Sequence, residues 1–296
     1  MPASPSGAND KVIVKVMDDG FNWITGTWES LRADAAGLAV DAVGNILFSD
    51  LLGQRIAKIT ATGQSSTFLE YAPQRVQASS GLVFSADGLL YSCEQDRIVA
   101  YPPQGKGRVI SRGIQCQDLA VTNAGTVYFT DPQHHSIGYV DRSGHKKKED
   151  LPMFMVAHPN GLRLSPDQSL LFVDDPNLRW VWSFQVQVDG SLRNAEPFYH
   201  LETRDDSSRS GAAGMTVDSL GYLYVATRLG IQVCDQPGRV VAIINPPDTG
   251  PVLGVAFGGA DLQDLYVDVR DKLYRRHLLR KGVLPGVPQK PPVPQL

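Results

Sequence analysis

One hairpin pattern recurs six times along this chain, and it constrains the fold more than any other feature. Each copy opens on a small or polar residue, usually followed by Gly. An alternating apolar strand comes next, then a turn containing Gly, Asp or Asn, then a second apolar strand that often ends in an acid. The first three copies run from Ala36-Gly37-Leu38 to Ser49-Asp50, from Ser80-Gly81-Leu82 to Cys93-Glu94, and from Gln117-Asp118-Leu119 to Thr130-Asp131. The others run from Asn160-Gly161-Leu162 to Asp174-Asp175, from Ala213-Gly214-Met215 to Ala226-Thr227, and from Leu253-Gly254-Val255 to Val267-Asp268. Period-two alternation such as Leu38/Val40 marks a half-buried strand, and Ala86-Asp87-Gly88 or Asn123-Ala124-Gly125 supplies the turn. A repeat of about 40 residues with two weaker strands after each hairpin is a propeller blade.

The predicted fold is therefore all-β, a six-bladed β-propeller over 11–280, with a flexible segment at 1–10 and a Pro-rich tail at 281–296. The sixth copy is one strand short, because the chain turns basic and then Pro-rich after Lys272-Leu273-Tyr274. Lys11-Val12-Ile13-Val14-Lys15-Val16 has strand composition and is expected to pair with the last blade, closing the ring and covering an open edge. The tail is expected to be extended on the surface or disordered.

A net charge of −3 with 20% charged residues carries no bias toward polyanions, so no nucleic-acid partner is expected. Met1–Asp10 has neither a basic nor an apolar leader region, and no apolar run approaches the length of a membrane span, so a cytoplasmic protein without a membrane partner is expected. Cys93, Cys116 and Cys234 are few, odd in number and widely spaced, and read as buried thiols.

In such hairpins the first residue of the leading strand and the last residue of the second lie at one end. That end gathers Ala36, Ser80, Gln117, Asn160, Ala213 and Leu253 around the axis, with Asp50, Glu94, Asp131, Asp175, Thr227 and Asp268 farther out. It is the natural mouth for a small-molecule ligand. Gln117, Asn160, His158, Asp131 and Ser80 are the candidate substrate-binding residues, and His134, His135 and Asp175 the candidate proton-transfer groups. The strand-end acids Asp50, Asp131 and Asp175 read first as caps of their own turns and only second as a ring of carboxylates. Phe21, Trp23 and Trp28 read either as a lid or as packing for blades one and six.

Three segments together resemble a known family: Asn160-Gly161-Leu162 with Ser165-Pro166-Asp167 and Leu171-Phe172-Val173, Tyr128-Phe129-Thr130-Asp131-Pro132, and Ala256-Phe257-Gly258-Gly259. This is the family of six-bladed propellers that holds senescence marker protein (regucalcin), gluconolactonase and luciferin-regenerating enzyme. The resemblance implies a calcium- or zinc-dependent lactonase, with some members acting on phosphoesters. Its metal sits on the axis, held by a Glu from the first hairpin, an Asn from the fourth and an Asp from the fifth, with another Asn from the third nearby. Carried over, the Glu position is Ala36, the Asp position is Ala213, the third-blade Asn is Gln117, and the fourth-blade Asn is kept as Asn160.

Hard divalent cations need anionic oxygen ligands, which Ala does not supply. No cofactor is expected, and calcium or zinc enters only through the resemblance. If a metal is held, Asn160, Asp34 and Asp206 are its candidate ligands, with Asp205 beside them. Three functions follow: a diverged lactonase-like enzyme acting on a cyclic or ester-like small molecule without the usual metal, a non-catalytic binding propeller of the same descent, and a metal-dependent lactonase with substitute ligands.

Overall fold

The structure, a computed structural model, describes residues 12–14, 29–33, 35–50, 54–71, 81–94, 96–104, 106–150, 156–270 and 272–293. Two strands precede the hairpins, β1 (Val12–Val14) and β2 (Glu29–Ala33). Blade one is β3 (Ala35–Val40), β4 (Ile46–Asp50), β5 (Arg55–Ile59) and β6 (Ser65–Glu70). Blade two is β7 (Leu82–Phe84), β8 (Leu90–Glu94), β9 (Arg97–Tyr101) and β10 (Arg108–Arg112). Blade three is β11 (Leu119–Val121), β12 (Val127–Asp131), β13 (Ser136–Val140) and β14 (Lys146–Asp150). Blade four is β15 (Leu162–Leu164), β16 (Leu170–Val173), β17 (Trp180–Val186) and β18 (Leu192–His200). Blade five is β19 (Met215–Val217), β20 (Leu223–Thr227), β21 (Gly230–Cys234) and β22 (Val240–Ile244), and blade six begins with β23 (Val252–Gly258), β24 (Asp264–Val269) and β25 (Lys272–His277).

Neighbouring strands within each blade pair antiparallel in chain order, giving six small sheets. The hydrophobic core is divided among the interfaces between them. Tyr224, Val233, Val255 and Phe257 fill the space between blades five and six, and Tyr128, Ile137, Leu162 and Phe184 that between three and four. Burying each such side chain stabilises the fold by roughly 1.5–3 kcal/mol, so every blade depends on both neighbours.

The ring closes through a different strand from the one expected. β2, not the 11–16 segment, completes blade six: Glu29 lies opposite Arg275 and Ala33 opposite Lys272. β1 instead adds a fifth strand to blade five, with Val12 opposite Ile244 and Val14 opposite Ala242. The composition of the two outer edges explains the exchange. The outer strand of blade five, Val-Val-Ala-Ile-Ile, is buried throughout, and β1 pairs along its free edge. β2, Glu-Ser-Leu-Arg-Ala, is mostly polar, as suits an outer edge. Its Leu31 packs into the core between blades one and six, and its Glu29 meets Arg275 at 2.6 Å.

The Pro-rich tail is laid across the end of the propeller that carries the hairpin turns. The Ser219 amide donates to Lys281 O (2.7 Å), the Gln289 amide to Pro166 O (2.6 Å), and Gln236 Nε2 to Pro292 O (2.8 Å). Gly286 lies where a Cβ would come within 2.6 Å of Ala86 N. The tail thus touches blades five, two and four in turn and straps that end shut. Among the described residues no helix is long and apolar enough to cross a membrane.

Candidate active site

At the opposite end a cavity of about 440 Å³ opens on the axis, a size suited to a small organic molecule. Three rings of equivalent positions, one residue per innermost strand, contribute to its wall, the third through Arg163 alone. The first ring is the leading residues, of which Gln117, Asn160, Ala213 and Leu253 line the cavity. Ser80 and Asp34 lie outside the described residues, as do Phe21, Trp23 and Trp28.

The second ring is the next residue of each strand: Gly37, Gly81, Asp118, Gly161, Gly214 and Gly254. Glycine recurs because the blades converge there. A Cβ on Gly161 would sit 2.2 Å from Ala213 O and 2.5 Å from Asp174 Oδ2, and one on Gly81 would sit 2.8 Å from Asp118 Cα. Asp118 breaks the series and places a carboxylate in the cavity wall. Its Oδ1 accepts from the Leu119 amide (2.8 Å) and its Oδ2 from the Leu162 amide (3.0 Å), tying blade three to blade four. What surface it exposes faces the sunken cavity, and this burial raises its pKa to about 6 against the opposing pull of those amides and of Arg163.

The third ring lies two places beyond the second along each innermost strand: Ala39, Val83, Ala120, Arg163, Thr216 and Ala256. Of these Arg163 alone lines the cavity, while Ala39, Val83, Ala120 and Ala256 are buried in the cores between blades. Arg163 Nε donates to Met215 O on blade five (2.7 Å), and Nη1 and Nη2 have no hydrogen-bond partner among the described residues. Burial lowers its pKa from the ordinary arginine value, while Asp118 favours the cation.

Two further acids stand behind the glycines. Asp174 Oδ1 accepts from the Gly161 amide (3.0 Å), its Oδ2 is buried with no partner, and burial with the nearby carboxylates of Asp118 and Asp175 holds its pKa well above the usual range. Asp268 lines the cavity beside Gly254 with Oδ1 unpartnered, and burial raises its pKa to about 7 against amide hydrogen bonds from Gly254, Leu253 and Gly37. The register fixes the equivalence: Gly254 lies opposite Asp268, and the Asp174 amide donates to Gly161 O. Asp268 therefore corresponds to Asp174, one place earlier than its sequence pairing with Asp175.

The other residues singled out from sequence cluster on the rim between blades three and four rather than on the cavity wall. His134 Nδ1 meets Asp131 at 2.8 Å, where Asp131 caps the 3-10 turn Pro132–His134. His135 Nδ1 bonds Ala157 O, and its ring meets that of His158 edge-on at 5.2 Å. Asp175 caps its own turn, accepting from the Asn177 and His158 amides (both 2.8 Å). Asp206 is exposed and meets Arg204 at 3.3 Å. Asn160 does face the cavity; its Nδ2 donates to Ala213 O (3.0 Å) and Ala212 O (3.4 Å).

Two cysteines expected as thiols are joined. Cys93 closes the second hairpin and Cys116 immediately precedes Gln117, and the pair forms a disulfide with a Cα–Cα distance of 5.3 Å; Cys234 is free and buried. The bond fastens the chain leading to Gln117 and Asp118 onto blade two. A separation of 23 residues concealed the pairing, because the propeller returns the chain to the same end of the ring once per blade.

Residues 35–269 match the family model described as the SMP-30/gluconolactonase/LRE-like region. This chain belongs to that family. Among the relatives of this SMP-30/gluconolactonase/LRE-like protein is a gluconolactonase of Zymomonas mobilis, 24% identical over 266 residues that cover 78% of this chain and 74% of the relative. Another is a pentonolactonase of Haloferax volcanii, 25% identical over 203 residues covering 66% and 68% of the two chains. The fold of a gluconolactonase of Xanthomonas campestris superposes with a TM-score of 0.75 at 22% identity, covering 94% of this chain and 98% of that one.

Proposed function

We propose that this family member opens a small cyclic ester in the axial cavity, with Asp118 as the proton-transfer group and without a resident divalent cation. The observation that carries the reading is Asp118 itself, a carboxylate of raised pKa in the wall of a cavity of ligand size. Ionised Asp118 takes a proton from a water molecule as its oxygen bonds to the ring carbonyl carbon. The tetrahedral intermediate then collapses by breaking the ring C–O bond, and the proton passes from Asp118 to the departing alkoxide. Lactone and water become a hydroxy acid with no other reactant. Gln117 and the Oδ1 of Asn160 hold the ring's polar groups, a role the sequence already suggested for both. Proton transfer by His134, His135 or Asp175 is less well supported, because each sits on the rim with partners of its own.

The donor set supports chemistry without the family's metal. Ala213 offers only a methyl group, Asn160 commits its amide nitrogen to two carbonyls, both oxygens of Asp118 accept amides, and a guanidinium shares the cavity. No group of three or more His, Cys, Asp or Glu among the described residues is arranged around a common point for an ion.

The test is hydrolysis of glucono-1,5-lactone, followed as acid release in excess chelator. The expected result is turnover that survives chelation, rises with pH through an apparent pKa near the Asp118 value of about 6, and falls about a hundredfold in Asp118→Asn. Turnover that is lost to chelator and restored by calcium or zinc overturns the metal-free reading. One observation favours a second reading, a binding propeller: both oxygens of Asp118 already serve the backbone. Lactone binding without hydrolysis, unchanged in Asp118→Asn, would establish it.

A further inference from the structure

Several arginines elsewhere on the molecule find carboxylates: Arg55 meets Asp50 at 2.9 Å, Arg97 meets Glu94 at 3.0 Å, and Arg239 meets Asp235 at 2.7 Å. The two arginines that line the axial cavity do not. Among the described residues Arg163 makes one side-chain bond, from Nε to Met215 O, which leaves four of its five N–H donors uncommitted there. Asp118, the acid electrically closest to it, has given its oxygens to amides. Arg228 stands at the mouth, its side chain packed over Gly211, and has no side-chain partner among the described residues. A desolvated guanidinium with open donors is costly unless a ligand completes it, and its planar fork matches a carboxylate. Arg163 sits on the floor, where the five equivalent positions are Ala, Val, Ala, Thr and Ala, so nothing else at that depth competes for the ligand's charge.

We propose that Arg163 is the anchor for a carboxylate on the ligand, so that the cavity selects sugar-acid lactones bearing a free carboxylate over their neutral counterparts, with Arg228 drawing the anion in at the mouth. The proposal deepens the reading above, since it concerns the ligand of the same cavity, yet it is decided by binding and needs no turnover.

The experiment compares D-glucaro-1,4-lactone with D-glucono-1,4-lactone, which differ by a carboxylate in place of a hydroxymethyl group, using calorimetry on the full chain. The carboxylate-bearing lactone is expected to bind the wild type at least about tenfold more tightly, with the advantage shrinking as salt is raised. Arg163→Met is expected to abolish the difference, and Arg163→Lys, which keeps the charge and loses the fork, to retain part of it. Melting curves of both variants establish that they are folded; should the Met variant not fold, the partial loss in the Lys variant decides. Equal affinity for the two lactones in the wild type, no binding of the carboxylate-bearing one, or a preference undiminished in both variants overturns the proposal. Selective binding with neither ring opened leaves this inference standing and removes the hydrolase reading, whereas ring opening of both lactones at equal affinity does the reverse.

Discussion

The two halves of the axial cavity are built on the same repeat and differ in chemistry. Along the innermost strands and the residues leading into them, blades three and four supply Gln117, Asp118, Asn160 and Arg163, while blades five, six, one and two supply Ala213, Met215, Leu253, Val255, Leu38 and Leu82; Asp268 and Arg228 join the wall from outside those strands. A six-fold scaffold with one polar flank can orient an asymmetric ligand, setting its charged and carbonyl groups against one wall and its carbon skeleton against the other. The contrast also shows how little backbone change a site requires. The six hairpins share one pairing plan, and single residues, Asp118 where the other blades have Gly and Arg163 where they have uncharged side chains, convert structural wall into chemistry.

Substitutions at equivalent places on the two flanks sharpen this comparison. The largest effect on stability is expected for Gly161→Ala, whose added methyl meets Ala213 O at 2.2 Å and the unpartnered Asp174 Oδ2 at 2.5 Å. It should cost about 3 kcal/mol by urea denaturation. Gly214→Ala, at the same ring position on the apolar flank, meets Gly254 Cα at 3.0 Å and Leu253 O at 3.2 Å, looser contacts than those of Gly161, and should cost about 1 kcal/mol. Equal losses would mean that the flanks are equally crowded.

The next effect in size is pH-dependent. Asp268 has a folded pKa of about 7 against an ordinary 3.8, so the folded state binds its proton more tightly than the unfolded chain does. Its contribution is therefore fully present below pH 4 and is lost as pH rises toward 8. Asp268→Asn removes that loss, and the melting temperature of the variant relative to wild type should improve by several degrees between pH 5 and pH 8. A difference that stays constant with pH would show that Asp268 is ionised throughout.

The smallest effect is expected for Leu253→Asn on the apolar flank, where the side chain is 43% exposed. Stability should change by less than about 0.5 kcal/mol, while affinity for a lactone falls only modestly. A loss of binding as deep as that from Arg163→Met would erase the distinction between the flanks.

Much of this molecule was legible in the sequence, because the hairpin repeat carries its own turn chemistry and alternation. Six blades and a mouth lined by Gln117, Asn160, Ala213 and Leu253 follow directly from it. The acids and the arginine of the site were harder to see for a specific reason. Asp118 interrupts a glycine column one place after the leading residue of each copy, and such a break stands out only once the six hairpins are set in register. Arg163 lies between Leu162 and Leu164, where alternation reads as a solvent-facing polar residue. In a propeller the innermost strand's other face is the axis. The exchange of β1 and β2 and the Cys93–Cys116 bond depend on which edges and corners the ring brings together, and no local pattern encodes that.

The strap across the turn end has a kinetic consequence. Beneath Arg163 the axis narrows to a void of about 10 Å³ bounded by Val283 and Pro285, room for little more than one water molecule. The cavity is thus a cul-de-sac. Whatever enters must leave by the same door, so a departing molecule blocks the next arrival, and a ligand gripped at the floor is the last to be exchanged.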